Sequence, residues 1–171
     1  MQRTETKRQL IGHAFQRAQA SGNGLGDRLP HLTVGQVMTA NPLSVPAERT
    51  ALELVELFHE MRFRHLLVTE DGNMAGVISD RDVVRLFGSH DSPERDYLAT
   101  ITAGELMSVD LVTISPEAPL LDAVGLMLAN GISCLPVVSD GVAVGILTGT
   151  DLFLALEQFL GAAAPALAEA N

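Results

Sequence analysis

The sequence predicts an α/β (α+β) fold made of two copies of a β-α-β-β-α repeat. When the chain is shifted by 69 residues, Thr33–Phe87 aligns without a gap on Thr102–Leu156, and 13 of the 55 aligned pairs are identical. Each copy contains an Asp-Gly dipeptide between two short apolar runs, which is typical of a β-hairpin. A stretch with helical spacing of apolar residues precedes each hairpin. A gap-free register of this length indicates a duplicated unit.

The predicted elements follow the same order in both repeats: a short strand, a helix, two hairpin strands and a last helix. In the first repeat the predicted ranges are Leu43–Val45, Ala51–Met61, Leu66–Thr69, Met74–Ile78 and a helix that begins after Ser79 and runs to about Phe87. In the second repeat they are Leu111–Ile114, Pro119–Ala129, Leu135–Val138, Val142–Leu147 and a helix that begins after Thr148 and runs to about Leu160.

Five segments are predicted along the chain. They are an amino-terminal helix and linker (1–32), the first repeat (33–87), a linker (88–101), the second repeat (102–156), and a helix end with a tail (157–171). A repeat of about 55 residues buries too little apolar surface to be stable alone, so we expect the two repeats to pack together. The alanine-rich residues Gly161–Asn171 are expected to form a frayed tail.

A further helix is predicted over residues 4–20, because apolar side chains recur on one face. That face consists of Leu10, Ile11, Ala14, Phe15 and Ala18. We expect this helix to cap the core or to contact a second copy of the chain. A weak membrane-surface helix is the alternative, but the apolar face is small for that role.

Composition argues against several classes of protein. The 171 residues include 21 Asp plus Glu against 11 Lys plus Arg, a formal net charge of −10, which disfavours DNA or RNA as a main partner. The single Cys134 allows neither an internal disulfide nor a multi-cysteine metal site. Neither a bilayer-spanning apolar run of roughly 18 residues nor a signal-peptide core is present. We therefore expect a soluble cytoplasmic protein that binds no membrane.

Positive charge is confined to the first part of the sequence. Residues 1–30 contain five Lys or Arg against two acidic residues, and residues 31–95 contain six arginines. From Asp96 to Asn171 there is no Lys or Arg, against nine carboxylates. Any anion that is bound by side-chain charge must therefore be held by the first part of the chain.

The end of each hairpin contains a shared motif: Gly, two apolar residues, Ser or Thr, two variable residues and Asp. The two copies are Gly76-Val-Ile-Ser-Asp-Arg-Asp82 and Gly145-Ile-Leu-Thr-Gly-Thr-Asp151. One interpretation is a helix capping box, with Asp in place of the usual Glu or Gln. The other is a ligand site, because a hydroxyl and free N–H groups at a helix start suit a phosphate or ribose oxygen. An Asp one turn further on can accept hydrogen bonds from a ribose diol.

With the repeat, these motifs make the chain resemble the CBS (cystathionine β-synthase) domain pair, also called the Bateman module. The resemblance covers about residues 33–156. It is carried by the stretches Val37–Val45, Leu106–Ile114, Arg64–Val68 and Cys134–Val138 together with the two Gly-x-x-Ser/Thr-x-x-Asp ends. Leu67 stands where the family usually has the proline seen at Pro136, which affects only local strand geometry. The resemblance is to a protein of the stand-alone type.

The resemblance implies a pseudo-twofold body with two clefts that bind adenosine-containing ligands such as AMP, ADP, ATP, NAD or S-adenosylmethionine. In such clefts the motif Asp binds the ribose hydroxyls and the start of the second strand reaches the phosphates. Carried over, the first cleft would use Arg64, His65, Ser79, Asp82, Met107, Asp110, Leu111 and Val112. The second would use Ser133, Cys134, Thr148, Asp151, Met38, Asn41 and Leu43.

The two clefts are unequal in charge. Arg64 and His65 of the first repeat align with Ser133 and Cys134 of the second. A phosphate in the first cleft could therefore receive charge-assisted hydrogen bonds. The second cleft suits a nucleoside or a weakly charged adenosyl compound, unless the amino-terminal segment supplies cations. For Arg64 and His65, an exposed strand-end charge and a packed surface histidine are the plain alternatives.

We expect a regulatory module that senses adenine nucleotides, requires no cofactor and passes its output to an unknown effector protein or within a homodimer. The alternative is a dimerising scaffold whose clefts bind nothing. An enzyme is disfavoured because no nucleophile-base pair, nucleophile elbow or phosphate-binding glycine loop is present. The final helices carry more apolar residues than one face can bury, which favours a homodimer.

Overall fold

The computed structural model describes residues 2–20, 32–61, 63–88 and 94–168. The chain divides into two compact units. Unit 1 contains Met1–Asn41 and Val112–Asn171, and unit 2 contains Pro42–Leu111. Each unit therefore combines residues of both sequence repeats.

The described elements, in chain order, are α1 (Gln2–Ala20), α2 (Val34–Val37), β1 (Thr39–Ala40), β2 (Ser44–Pro46), α3 (Ala51–Met61), β3 (His65–Glu70), β4 (Asn73–Ser79), α4 (Asp80–Gly88), α5 (Arg95–Leu98), α6 (Ala103–Leu106), α7 (Leu120–Asn130), β5 (Cys134–Ser139), β6 (Val142–Thr148) and α8 (Gly149–Ala168). None of these helices is long and apolar enough to cross a membrane. The mixed α/β class and the two repeats are confirmed.

Each unit contains a three-stranded sheet. In unit 2 the order is β2-β3-β4, with β2 parallel to β3 and β3 antiparallel to β4. In unit 1 the order is β1-β6-β5, and both pairings are antiparallel. Both hairpins turn at the predicted dipeptide, where Asp71, Gly72, Asp140 and Gly141 have φ of 48°, 79°, 51° and 80°. Positive φ at both central residues is what a two-residue hairpin turn requires.

The strand predicted at Leu111–Ile114 is not formed, because Ile114 makes only an isolated parallel bridge to Val137. Its counterpart in unit 2 is strand β2, which pairs with β3. Just before β2, the carbonyl of Leu43 accepts from the N–H of Leu67 in β3 at 3.1 Å. Pro136 occupies the position of Leu67 in the second repeat and has no N–H to donate. The missing donor shortens the pairing to one residue.

Two helical predictions need correction. The tail predicted at Gly161–Asn171 is wrong as far as Ala168, because α8 continues to that residue. Alanine has the highest helix propensity, so an alanine-rich run extends an existing helix readily. The predicted linker 88–101 contains the short helix α5, whose Leu98 is buried.

Helix α1 packs on the core of unit 1, as one of the two sequence interpretations expected. Ile11 and Ala14 are 1% and 2% exposed and lie in the same apolar cluster as Leu135 and Leu147. Leu10, which was predicted on the same face, is exposed instead. The side chains of Phe15 and Ala18 lie outside the described part of the chain. The contact with the core accounts for the two buried apolar residues of α1.

The opening segment of each repeat (residues 33–41 and 102–110) pairs with the hairpin of the other repeat. In unit 2, Val77 and Ser108 exchange both backbone hydrogen bonds, at 3.1 and 2.9 Å. In unit 1, Thr39 pairs with Ile146 and Ala40 with Gly145. The two opening segments are thus exchanged between the repeats.

Glycines in β4 and β6 allow this close approach. A Cβ added at Gly76 would lie 2.4 Å from the sulfur of Met107, and one added at Gly145 would lie 2.3 Å from the sulfur of Met38. The same Gly76 Cβ would be 2.9 Å from the Cβ of Met107, which cannot move away by a rotamer change alone. The glycines of the motif are therefore needed for packing.

We predict that Gly76→Ala destabilises the protein by about 1–3 kcal/mol, the usual cost of overpacking a close contact. Gly125→Ala is the matched control, because its Cβ would meet nothing within 4 Å on α7. The control should be neutral or more stable by about 0.5–1 kcal/mol, since alanine replaces glycine inside a helix. Urea-induced unfolding measures both changes. Equal effects of the two substitutions would contradict the packing role of Gly76.

Candidate functional site

The motif of unit 2 forms a compact hydrogen-bonded turn where β4 ends and α4 begins. The Ser79 N–H and hydroxyl both donate to Asp82 Oδ2, at 2.8 and 2.6 Å. In unit 1, the Thr148 N–H and hydroxyl donate in the same way to Asp151 Oδ2, at 2.7 and 2.9 Å. The capping interpretation is therefore correct for one carboxylate oxygen of each motif. It leaves the other oxygen, Oδ1, to be satisfied by a different donor.

The first residues of β3 and β5 lie beside these turns. His65 pairs with Ser79 in the sheet, and the Asp80 N–H donates to the Arg64 carbonyl at 3.1 Å. The corresponding contacts in unit 1 link Cys134 with Thr148 and Gly149 with Ser133. The structure thus brings together the predicted strand-start and motif residues within each unit.

The exchanged opening segments add some of the remaining candidates. Met107 packs on Gly76 in unit 2, where Asp110 and Leu111 also lie. Met38 packs on Gly145 in unit 1, and the Asn41 N–H donates to the Val144 carbonyl at 3.1 Å.

Two predicted residues lie in a different unit from the other residues of the cleft to which they were assigned. Leu43 belongs to unit 2, where its carbonyl accepts from Leu67. Val112 belongs to unit 1, where it packs against the core cluster. Neither is brought to its predicted partners within a unit.

Arginines surround the motif of unit 2 but are held by exposed ion pairs. Arg64 Nε contacts Asp80 Oδ2 at 3.1 Å, with side chains that are 59% and 35% exposed. Arg85 Nη1 contacts Asp82 Oδ1 at 3.2 Å, and the Arg85 side chain is 80% exposed. Exposed pairs of this kind are worth only about 0–1 kcal/mol. Both arginines can therefore exchange their carboxylate for a better anion at low cost.

Burial affects two further groups at this site, the carboxylate of Asp80 and the imidazole of His65. Asp80 Oδ1 is buried and has no hydrogen-bond partner among the described residues. Burial lowers the pKa of His65, an effect that the carboxylate of Asp80 opposes and Arg64 reinforces. Because the ordinary pKa of histidine is about 6.5, His65 is a neutral imidazole at neutral pH. The site of unit 2 thus contains the neutral imidazole of His65 and the guanidinium groups of Arg64 and Arg85, which can leave their present carboxylates. It also contains the buried Oδ1 of Asp80, which has no donor among the described residues.

The motif of unit 1 has a different electrostatic partner. Asp151 is 2% exposed, and its Oδ1 forms an ion pair with the ammonium group of Lys7 from α1. The same ammonium group donates to the hydroxyl of Thr39 in the opening segment. Sequence reasoning did not select Lys7, although the positive charge of residues 1–30 was the signal for it. The structure shows that the amino-terminal segment supplies a cation to Asp151, whereas the expectation that such a cation would hold a ligand stays a prediction.

A metal centre finds no support in the described residues, where no three His, Cys, Asp or Glu side chains cluster. Cys134 is half-buried at the start of β5 and forms no disulfide.

A family model described as CBS domain matches residues 34–89 and 103–158. A homoserine O-acetyltransferase of Methanocorpusculum labreanum is 32% identical over 132 residues, which cover 76% of this chain and 25% of that protein. An uncharacterised protein of Methanopyrus kandleri is 28% identical over 132 residues, which cover 75% of this chain and 64% of that protein. The chain therefore spans less than two thirds of the length of these relatives.

Solved structures share the fold. An uncharacterised conserved protein from Pyrococcus horikoshii superposes with a TM-score of 0.65 and 26% identity, covering 74% of this chain and 93% of that chain. The CBS domain pair of protein MJ0100, crystallised with 5′-methylthioadenosine and S-adenosyl-L-methionine, gives a TM-score of 0.65 and 21% identity, covering 75% and 98%. With both repeats matched by the family model and the fold shared with a solved pair, this chain belongs to the CBS domain family and contains two tandem CBS domains.

Proposed function

We propose that the chain is a regulatory module that binds an adenosine-containing ligand at the motif of unit 2. The observation that carries this proposal is that the two carboxylate oxygens of Asp82 have different partners. Oδ2 accepts from both the N–H and the hydroxyl of Ser79, whereas among the described residues Oδ1 contacts a solvent-exposed Arg85. A ribose diol that donates to Oδ1 would replace a weak surface ion pair with hydrogen bonds to a charged group, which are worth about 1.5–3 kcal/mol each.

The ligand class is supported by the MJ0100 pair, which shares the fold and was crystallised with two adenosyl compounds. In unit 2 the opening segment of the other repeat pairs with β4 at Val77, two residues before Ser79, so a ligand that extends from Asp82 toward Val77 would contact both repeats. A small molecule that bridges two sequence repeats favours the arrangement in which both contacts are made. This provides a physical route from binding to regulation.

Among adenosyl ligands, the charges of unit 2 favour those that carry phosphate, such as AMP, ADP, ATP or NAD, over S-adenosylmethionine. Arg64 and Arg85 are exposed and weakly paired, and His65 lies at the start of the neighbouring strand. A phosphate attracts the guanidinium groups, whereas the sulfonium cation of S-adenosylmethionine is repelled by them. The buried Oδ1 of Asp80 could accept from a ligand hydroxyl or amine.

A regulatory role also agrees with the relatives. The chain matches 25% of the length of the homoserine O-acetyltransferase and 23% of an inosine-5′-monophosphate dehydrogenase of Nitrosopumilus maritimus. In such proteins the matched part is a segment of a longer enzyme. We infer that the shared segment senses a ligand and that the catalytic activity of those enzymes belongs to their other parts.

Replacing Asp82 separates the ligand site from the helix cap. Asp82→Ala should weaken binding of both adenosine and AMP, because both carry the ribose. Glu53→Ala is the matched control, since Glu53 accepts from the N–H and hydroxyl of Thr50 at 2.9 Å in both cases, as Asp82 does from Ser79. Both variants should lose stability through a lost cap. Titration calorimetry should show weakened binding for Asp82→Ala alone, and equal affinities for both variants would refute a ligand role of Asp82.

Replacing Arg64 tests the phosphate contact. Arg64→Ala should weaken AMP binding roughly 10-fold, the lower end for a charge-assisted hydrogen bond because the side chain is exposed, and should leave adenosine binding unchanged. Arg95→Ala removes a similar exposed pair with Glu56 in the same unit and should change neither affinity. If Arg64→Ala affects adenosine and AMP equally, Arg64 does not hold a phosphate.

The alternative function is a scaffold that dimerises and binds no nucleotide. A ligand present at 100 times its dissociation constant adds about 2.7 kcal/mol to the free energy of unfolding. Thermal denaturation with AMP, ADP, ATP, NAD and S-adenosylmethionine therefore distinguishes the two functions. A melting temperature that none of these compounds raises would favour the scaffold.

Exposed apolar side chains on the last helix of each repeat support a homodimer. Val84 and Phe87 on α4 are 63% and 43% exposed, and Phe153, Leu156 and Leu160 on α8 are 73%, 49% and 54% exposed. Clusters of this kind are uncommon on soluble monomers. We expect light scattering at micromolar concentration to give twice the chain mass of 18.2 kDa. A mass of 18.2 kDa would exclude the dimer.

A further inference from the structure

The two motif aspartates, Asp82 and Asp151, differ in the side chain that donates to Oδ1. In unit 2 the donor is Arg85, whose side chain is 80% exposed. In unit 1 the donor is Lys7, whose side chain is 19% exposed, and the Asp151 side chain is 3% exposed. Coulomb attraction is stronger away from water, so the buried pair resists exchange in a way that the exposed pair does not.

Lys7 is also held from two sides. Its ammonium group donates to Asp151 at the motif and to the hydroxyl of Thr39 in the opening segment. These are the two elements between which a ligand of this unit would have to bind. The ammonium group therefore takes the position at which a ligand hydroxyl would contact the motif carboxylate.

Helix α1 is fixed independently of this ion pair. Ile11 and Ala14 are buried in the core of unit 1, and Arg8 Nε contacts Glu157 Oε2 on α8 at 2.9 Å. Gly12 allows the two helices to approach closely, because a Cβ there would lie 3.3 Å from Gln158 Oε1. Lys7 lies one helical turn before Ile11, so its flexible side chain can leave Asp151 while the helix stays in place.

We propose that Lys7 is an intramolecular competitor that closes the adenosyl site of unit 1, so that the two tandem motifs differ in ligand affinity although both follow the Gly-x-x-Ser/Thr-x-x-Asp pattern. This inference rests on the proposed function of the Ser/Thr-x-x-Asp motif. A ligand must displace the ammonium group before its ribose can donate to Asp151. The observed affinity is the intrinsic affinity multiplied by the fraction of molecules in which Lys7 has moved away.

The plain alternative is that Lys7 only neutralises a buried carboxylate. Removing one partner of a buried ion pair is destabilising in either case, because it leaves an unpaired charge. Stability therefore cannot separate the two roles, whereas ligand affinity can. If Lys7 has only a structural role, replacing it leaves the affinity for adenosine unchanged. If Lys7 competes with the ligand, replacing it raises that affinity.

The test is titration calorimetry of the full chain with adenosine, which has no phosphate for Lys7 to attract. All variants carry Asp82→Ala, so that any remaining binding reports the motif of unit 1. Lys7→Met should then bind adenosine roughly 10- to 150-fold more tightly than the Asp82→Ala parent, the equivalent of one lost charge-assisted hydrogen bond. Arg8→Met, which removes the neighbouring pair with Glu157, should bind as the parent does. Adding Asp151→Ala to Lys7→Met should abolish the gain.

The possible outcomes separate this inference from the proposed function. If the unmodified chain binds adenosine through Asp82 but Lys7→Met gives no gain over its parent, the competitor role is wrong and the proposed function stands. If neither the unmodified chain nor any variant binds adenosine, the proposed function fails and the competitor role fails with it. Circular dichroism verifies that each variant is folded. Lys7→Gln, which keeps a polar donor without the charge, replaces Lys7→Met if the latter does not fold.

Discussion

Backbone pairing between each hairpin and the opening segment of the other repeat is the constraint on which the rest of the structure depends. Val77 with Ser108, and Thr39 with Ile146, join residues that are far apart in sequence. Gly76 makes room for this pairing in unit 2 because it has no side chain to meet Met107. The sheet of unit 1 takes β1 from the first repeat, and the core of unit 2 takes Ala103 from the second repeat. Neither repeat alone therefore contains all the residues of a unit.

The same pairing creates the candidate sites. It places a segment of one repeat next to the helix start of the other, where Asp82 or Asp151 already serves as a cap through Oδ2. Capping and ligand binding do not compete, because they use different oxygens of one carboxylate. What differs between the units is the donor to Oδ1, exposed in one and buried in the other. Two motifs of the same pattern thus acquire different electrostatic environments from the residues packed around them.

Local patterns in the sequence predicted much of the fold. The Asp-Gly turns, both hairpins and α3 were predicted because turn chemistry and helical spacing act within a few residues. The strand predicted at Leu111–Ile114 was wrong because its pairing depends on a donor that Pro136 lacks. The ion pair between Lys7 and Asp151 joins residues 144 positions apart, and no local pattern indicates which lysine reaches a buried carboxylate. The charge asymmetry of the sequence indicated only that such a cation would have to come from the first part of the chain.

The most direct test of this account is a crystal structure of the chain grown with adenosine at a concentration that saturates the motif of unit 2 but not that of unit 1. The account predicts adenosine in unit 2, with a ribose hydroxyl within hydrogen-bond distance of Asp82 Oδ1 and with Arg85 displaced from that oxygen. It also predicts that Lys7 remains on Asp151 in unit 1. Adenosine bound at Asp151 while Asp82 keeps its contact with Arg85 would contradict the account, and so would adenosine that contacts neither aspartate.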